Sequence, residues 1–232
     1  MRVRLVFAAL LVLAFASPLS SGPPFDPATL FGPAEHVRAH AEGDWIIIES
    51  DGLPNHPTSN VNPNSAERQH FRFRVTLHPQ TASAPSPVPA RGPIGVAING
   101  VAIFGPQNAE GQDAVMVEMF DPCGGHPDPR GVYHYHRMPD CLVTEQSGKH
   151  SAVIGVAFDG FLIYGKLGSN GKAPLDLDAC NGHVGPTTEF PSGAYHYHAT
   201  TKFPYLLGCY AGTPSLPRRP DRPPEFGRPG SR

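Results

Sequence analysis

Apolar and polar residues alternate along "FRFRVTLHP" (71–79), where Phe71, Phe73, Val75 and Leu77 interleave with Arg72, Arg74 and Thr76. A period of two belongs to a strand with one buried face. "DWIIIES" (44–50) is a second short β-rich run. Farther on, "IGVAINGVAIFG" (94–105) and "IGVAFDGFLIYG" (154–165) each set two β-rich runs around Asn99-Gly100 or Asp159-Gly160. Those dipeptides favour a type I′ turn, so each stretch predicts a β-hairpin. Residues 51–69 read as turn chemistry throughout, and 79–93 as a Pro-rich connector.

The two hairpins open a longer repeat, with units at 94–141 and 154–209. After each hairpin comes a polar, Gly-containing loop. Then "DPCGGH" (121–126) answers to "DACNGH" (178–183), "GVYHYH" (131–136) to "GAYHYH" (193–198), and Cys141 to Cys209. Between these anchors the copies share little. Folding explains why two diverged copies keep a hairpin; it does not explain why they keep the histidines.

Residues two apart on a strand point to the same side, about 6.6 Å apart. His134 and His136 therefore share one face, and Tyr133 and Tyr135 the other; His196 and His198 repeat the arrangement. Two such imidazoles can lean onto one ion, and a third stands in each unit after a glycine, His126 or His183. The candidate ligands are thus His126, His134, His136, His183, His196 and His198. All-nitrogen ligation suits zinc or copper better than calcium or magnesium. The units could hold one ion each or converge on a shared centre. The bland alternative is an aromatic ladder whose histidines bond to backbone or to Asp121 and Asp178. Those two aspartates either cap the Gly-His turn or orient a ligating imidazole from behind. His56, in "LPNHPTS", is a surface loop residue or an additional ligand. His36, His40, His70, His78 and His150 read as solvated.

The N-terminus changes the setting. Arg2 and Arg4 precede "LVFAALLVLAF", about half of the roughly 20 apolar residues a membrane span needs, and "AFAS" (14–17) offers a small-residue cleavage site. Residues 1–16 read as a signal peptide, giving a secreted or periplasmic protein with no membrane span. Removing them takes the formal charge from −2 to −4, with no basic cluster that would suit nucleic acid. Residues 17–43 read as a poorly ordered leader and the Pro/Arg-rich 213–232 as a disordered tail. In an exported chain the four cysteines read as two disulfides. Cys123–Cys141 and Cys180–Cys209, one per unit, are the preferred pairs; cross-unit pairing fits the repeat equally well. Pro and Gly, 28 and 25 residues of 232, imply many turns and few long helices.

The paired "YHYH" runs with "DPCGGH" and "DACNGH" upstream resemble the YHYH-domain family, whose members are exported. "LPNHPTSNVNPNSAERQHFRF" (53–73) and "YHYHATTKFPYLLGCYAG" (195–212) add to the likeness, which spans 44–212. The resemblance implies an extracytoplasmic setting and directs attention to His134, His136, His196 and His198, to His126 and His183, and to His56. It supplies no reaction.

The expected fold is mainly β: two hairpin-led units in one sandwich or barrel-like domain, completed by the N-terminal strands. Three functions remain open. One is a histidine-lined zinc or copper site, catalytic or not. Another is a metal-free His/Asp acid–base enzyme. The third is a module stacking an extracellular small-molecule or carbohydrate ligand on its tyrosines. Converging histidines would favour the first, isolated His–Asp pairs the second, and exposed tyrosines in a groove the third.

Overall fold

A computed structural model describes residues 25–32 and 34–215. The signal peptide, residues 17–24 of the leader and 216–232 of the tail lie outside them. The rest of the leader is structured: a short helix α1 (Pro27–Phe31), capped by the Asp26 carboxylate, precedes β1 (Val37–Glu42). β1, β2 (Trp45–Ser50) and β3 (Phe71–Thr76) form an antiparallel three-stranded sheet. The leader is recruited because Val37 and Phe31 have apolar surface to bury beside Ile46, Ile48, Phe73 and Val75.

The repeat forms the main sheet. Unit one supplies β5 (Pro93–Ala97), β6 (Ala102–Phe104), β7 (Gly125–Pro127) and β8 (Tyr133–Tyr135). Unit two supplies β9 (Val153–Ala157), β10 (Leu162–Tyr164), β11 (Gly182–Gly185) and β12 (Ala194–His198). The strand order, β11-β12-β10-β9-β5-β6-β8-β7, reads the same from either end once unit one is exchanged for unit two. The halves join where β5 runs antiparallel to β9, with Val96 opposite Val156 and Gly95–Ala157 matching Ala97–Gly155. Val96 and Val156 are equivalent at the 60-residue offset of the hairpins, so a pseudo-twofold axis passes through their pair. A helix α2 (Ala114–Val117) lies in the loop of unit one. In the nominal Pro-rich connector, β4 (Thr81–Pro87) pairs with β13 (Cys209–Gly212), a strand edge being one of the places where proline is tolerated. The architecture is mainly β, in several sheets, without a long helix and without a closed barrel.

The hairpin turns differ from expectation. Positive φ falls at Gly100 (85°) and Gly160 (93°), not at Asn99 or Asp159. Gly100 N–H donates to the Ala97 carbonyl and Ala97 N–H to that of Val101, a three-residue turn closed by a glycine bulge rather than a type I′ pair. The reason lies in the side chains. Asn99 Oδ1 accepts from Val101 N–H while its Nδ2 donates to Tyr135, and Asp159 accepts from Tyr197. The three-stranded sheet covers both turns: a Cβ on Gly100 would stand 2.6 Å from Ser50 Oγ, and one on Gly160 2.7 Å from Thr76.

The central strands approach so closely that a Cβ on Gly95 or Gly155 would lie 2.6 Å from the carbonyl oxygen of Val156 or Val96. Gly155→Ala should therefore cost about 1–3 kcal/mol, read as a lower urea midpoint. An unchanged midpoint would show that the axis pair can spread at no cost.

Candidate metal centres

Register brings the third histidine of each unit to the other two. β7 and β8 pair antiparallel with His126 opposite His134; β11 and β12 do the same with His183 opposite His196. Directly opposed residues share a face. The glycine before each third histidine is a steric need: a Cβ on Gly125 or Gly182 would run into the ring of Tyr133 or Tyr195. The turn itself is held by Asp121, whose Oδ1 accepts from the backbone N–H groups of Cys123, Gly124 and Gly125 and whose Oδ2 accepts from Tyr133. Asp178 likewise takes Cys180 N–H, Gly182 N–H and the Tyr195 hydroxyl. Both aspartates cap turns and anchor tyrosines; neither bonds to an imidazole.

In unit one the His134 Nε2 stands 3.1 Å from that of His126 and 3.0 Å from that of His136. Each ring is tied from behind. Nδ1–H of His126, His134 and His136 donates to the carbonyls of Met119 (3.0 Å), Val132 (2.9 Å) and Gly105 (2.6 Å). A carbonyl can only accept, so the proton sits on Nδ1 and the lone pair on Nε2. Three lone pairs thus face one point. Phe104 stacks on His134 with centroids 4.0 Å apart, and Phe120 lies against His126.

Unit two repeats this. His196 Nε2 is 3.2 Å from that of His183 and 3.0 Å from that of His198. Nδ1 of His196 donates to Ala194 O and that of His198 to Gly165 O, while His183 Nδ1 bonds to the Asp176 carboxylate at 2.9 Å. The trios lie on the same sheet face near its opposite ends. Five strand spacings separate β8 from β12, roughly 24 Å, so the two trios are separate sites rather than one centre.

Two neighbours escaped the sequence reading. Glu118, just after α2, brings Oε2 to 3.3 Å from His126 Nε2 and 3.6 Å from His136 Nε2. That oxygen is buried and has no hydrogen-bond donor among the described residues. His150, expected in solvent, is partly buried instead. Its Nε2 lies 3.3 Å from that of His196, its Nδ1 donates to Ser151 O, and its ring packs edge-on against Tyr164. His36 is also held, by Asp51 at 3.1 Å. His56 joins neither trio: its Nε2 meets the Tyr135 hydroxyl at 2.7 Å. The Cys123 and Cys141 sulfurs beside it are joined to each other and are spent as ligands.

The cysteines pair within units, Cys123–Cys141 and Cys180–Cys209, and none is free. Tyr133, Tyr135 and Tyr197 are buried on the face away from the histidines. Tyr195 is partly exposed in an open groove of about 620 Å³, which Phe161 and Phe190 also line. No helix among the described residues is long and apolar enough to cross a membrane.

The family model described as "YHYH protein" matches residues 72–175 and 170–212. No curated protein and no solved structure matches the chain.

Burial lowers the proton affinity of five of the six trio histidines. Desolvation holds His134 well below the ordinary histidine value, takes His136 and His196 down to about 4 and His198 to about 3, and also lowers His126. An unfolded chain binds these protons from about pH 6.5 downward. Between that pH and about 4 the unfolded state carries more protons, so stability is intact above the window and is lost as pH falls through it. Each such ring contributes a slope approaching about 1.4 kcal/mol per pH unit. Glu118 and Asp159, whose carboxyls desolvation raises, act in the opposite sense. With chelator present, the urea midpoint should fall steadily from about pH 6.5 to 4.5. A flat profile there would contradict neutral, buried imidazoles.

Proposed function

The chain belongs to the YHYH protein family, and we propose that it is an exported protein that holds one transition-metal ion, zinc or copper, on the histidine trio of each repeat. The observation that carries this reading is that in each unit the central Nε2, of His134 or His196, lies 3.0–3.2 Å from the Nε2 of two further histidines, with the Nδ1 atoms engaged behind. Lone pairs at that spacing repel one another. What sits among them must accept electron pairs, and burial disfavours a proton in that role. Two nitrogens on a tetrahedral ion at 2.0–2.1 Å stand about 3.3 Å apart, close to the separations here. Imidazole donors suit zinc or copper, whereas calcium and magnesium demand oxygen.

A bound ion would supply a Lewis acid and, if copper, an electron-transfer centre. The chain's own part is to orient the imidazoles, through carbonyls and Asp176, and to exclude water with Phe104 and Phe120. Metal-free acid–base catalysis has less support, because the Nε2 atoms face each other rather than an open cleft. A tyrosine-stacking module has less still, because three of the four motif tyrosines are buried. Export is supported by the paired cysteines, which persist in oxidising compartments, and by the signal-like N-terminus.

Elemental analysis tests the reading. The wild-type protein, dialysed against buffered zinc or copper, should retain about two equivalents. The pair His134→Ala and His136→Ala should leave about one, and adding His196→Ala and His198→Ala should leave none, with near-UV circular dichroism reporting the fold. At free metal 100-fold above Kd, each occupied centre should make unfolding harder by about 2.7 kcal/mol. A folded wild-type protein that takes up neither ion at micromolar concentration would end the metal reading.

A further inference from the structure

We propose that the two centres are chemically different: Glu118 gives the first a carboxylate as fourth donor, and His150 gives the second a fourth imidazole. The proposal rests on the metal reading above and goes beyond it in assigning two ligands and a loading order.

The repeat is what exposes the difference. At the 57-residue offset that relates Asp121 to Asp178, the counterpart of Glu118 is Leu175, which is fully exposed. At the 60-residue offset of the hairpins, the counterpart of His150 is Ala90. Each unit therefore has a fourth group that the other lacks, reached from a different side of the unit. Glu118 arrives from the loop before β7, His150 from the segment before β9. Both are aimed at their trios. Glu118 Oε2 is buried beside His126 and His136 and meets no donor among the described residues. His150 has Nδ1 committed to Ser151 O at 2.8 Å, which leaves its Nε2 lone pair toward His196.

The surroundings differ in the same direction. Behind the third histidine, unit one offers the Met119 carbonyl to His126, whereas unit two offers the Asp176 carboxylate to His183. A carboxylate behind a ligating imidazole raises its basicity. Phe104 of the first centre is replaced by Tyr164, whose hydroxyl donates to Glu189 at 2.5 Å. The first site thus offers three nitrogens and an oxygen, with the Glu118 side chain 28% exposed. The second offers four nitrogens. Imidazole is a better matched donor for copper(II) than a carboxylate oxygen is, so copper(II) fills the second centre first.

Copper(II) titration of the metal-free full chain, followed by electron paramagnetic resonance, tests this. The first equivalent should show coupling to four imidazole nitrogens, and the second a distinct signal from three. His150→Gln should reduce the first signal to three nitrogens and weaken that step by roughly 10-fold or more, leaving the other signal unchanged. Glu118→Gln should weaken the later step by a similar factor and leave the four-nitrogen signal intact. Two equivalents bound with one common spectrum, unmoved by either variant, would overturn the assignment of Glu118 and His150 while leaving the trios standing. No binding by the wild-type chain would overturn both.

Discussion

Every histidine of the two trios is governed by the hydrogen bond on its far side. Nδ1–H of each trio histidine is tied to an acceptor, in five of the six cases a backbone carbonyl. That bond sets the tautomer, the ring plane and the direction of the Nε2 lone pair together. Several acceptors belong to the strands or their ends: Gly105 and Gly165 follow β6 and β10, and Val132 and Ala194 lie at the start of β8 and β12. A shift of one residue in the β6–β8 or β10–β12 register would carry the imidazoles to the other face of the sheet. The geometry of the sites is thus a property of the backbone ladder.

The tyrosines of the motif hold that register from the opposite face. Tyr133 and Tyr195 bond to the aspartates that cap the Gly-His turns, tying β8 to the entry of β7 and β12 to that of β11. Tyr135 and Tyr197 bond to Asn99 and Asp159 at the tips of the first hairpins. The four-residue motif therefore joins three parts of its unit: the turn before the third histidine, the hairpin and the histidine face. The disulfides add a covalent tie from each capped turn to the segment that follows the motif.

Much of this was legible in the sequence. A period-two run gave β3, β-rich runs around Asn99-Gly100 and Asp159-Gly160 gave the hairpin strands, and retention of the same anchors in both units singled out the six histidines that the structure gathers into two trios. The turn type was not legible, because it depends on Asn99 and Asp159 reaching tyrosines more than thirty residues away. The structured part of the leader was missed although β1, "VRAHAE", alternates with period two: two of its three apolar positions are alanines, Ala39 and Ala41, and only Val37 is buried. Glu118 and His150 were missed for a more instructive reason. A search for what two copies share cannot see a residue that one copy has and the other lacks.

The twofold explains why such differences can exist. Because the halves meet at β5 and β9, the histidine strands are driven toward opposite ends of the sheet, and no ion can bridge them. Each trio is assembled from its own hairpin, its own capped turn and its own disulfide, so a change beside one leaves the ladder of the other intact. Leu175 can occupy the position of Glu118, and Ala90 that of His150, without disturbing any bond that holds an imidazole from behind. The duplicated fold thus keeps two copies of a rigid three-nitrogen frame. It leaves the group beside each frame, Glu118 in one unit and His150 in the other, free of strand pairing and so able to differ between the halves.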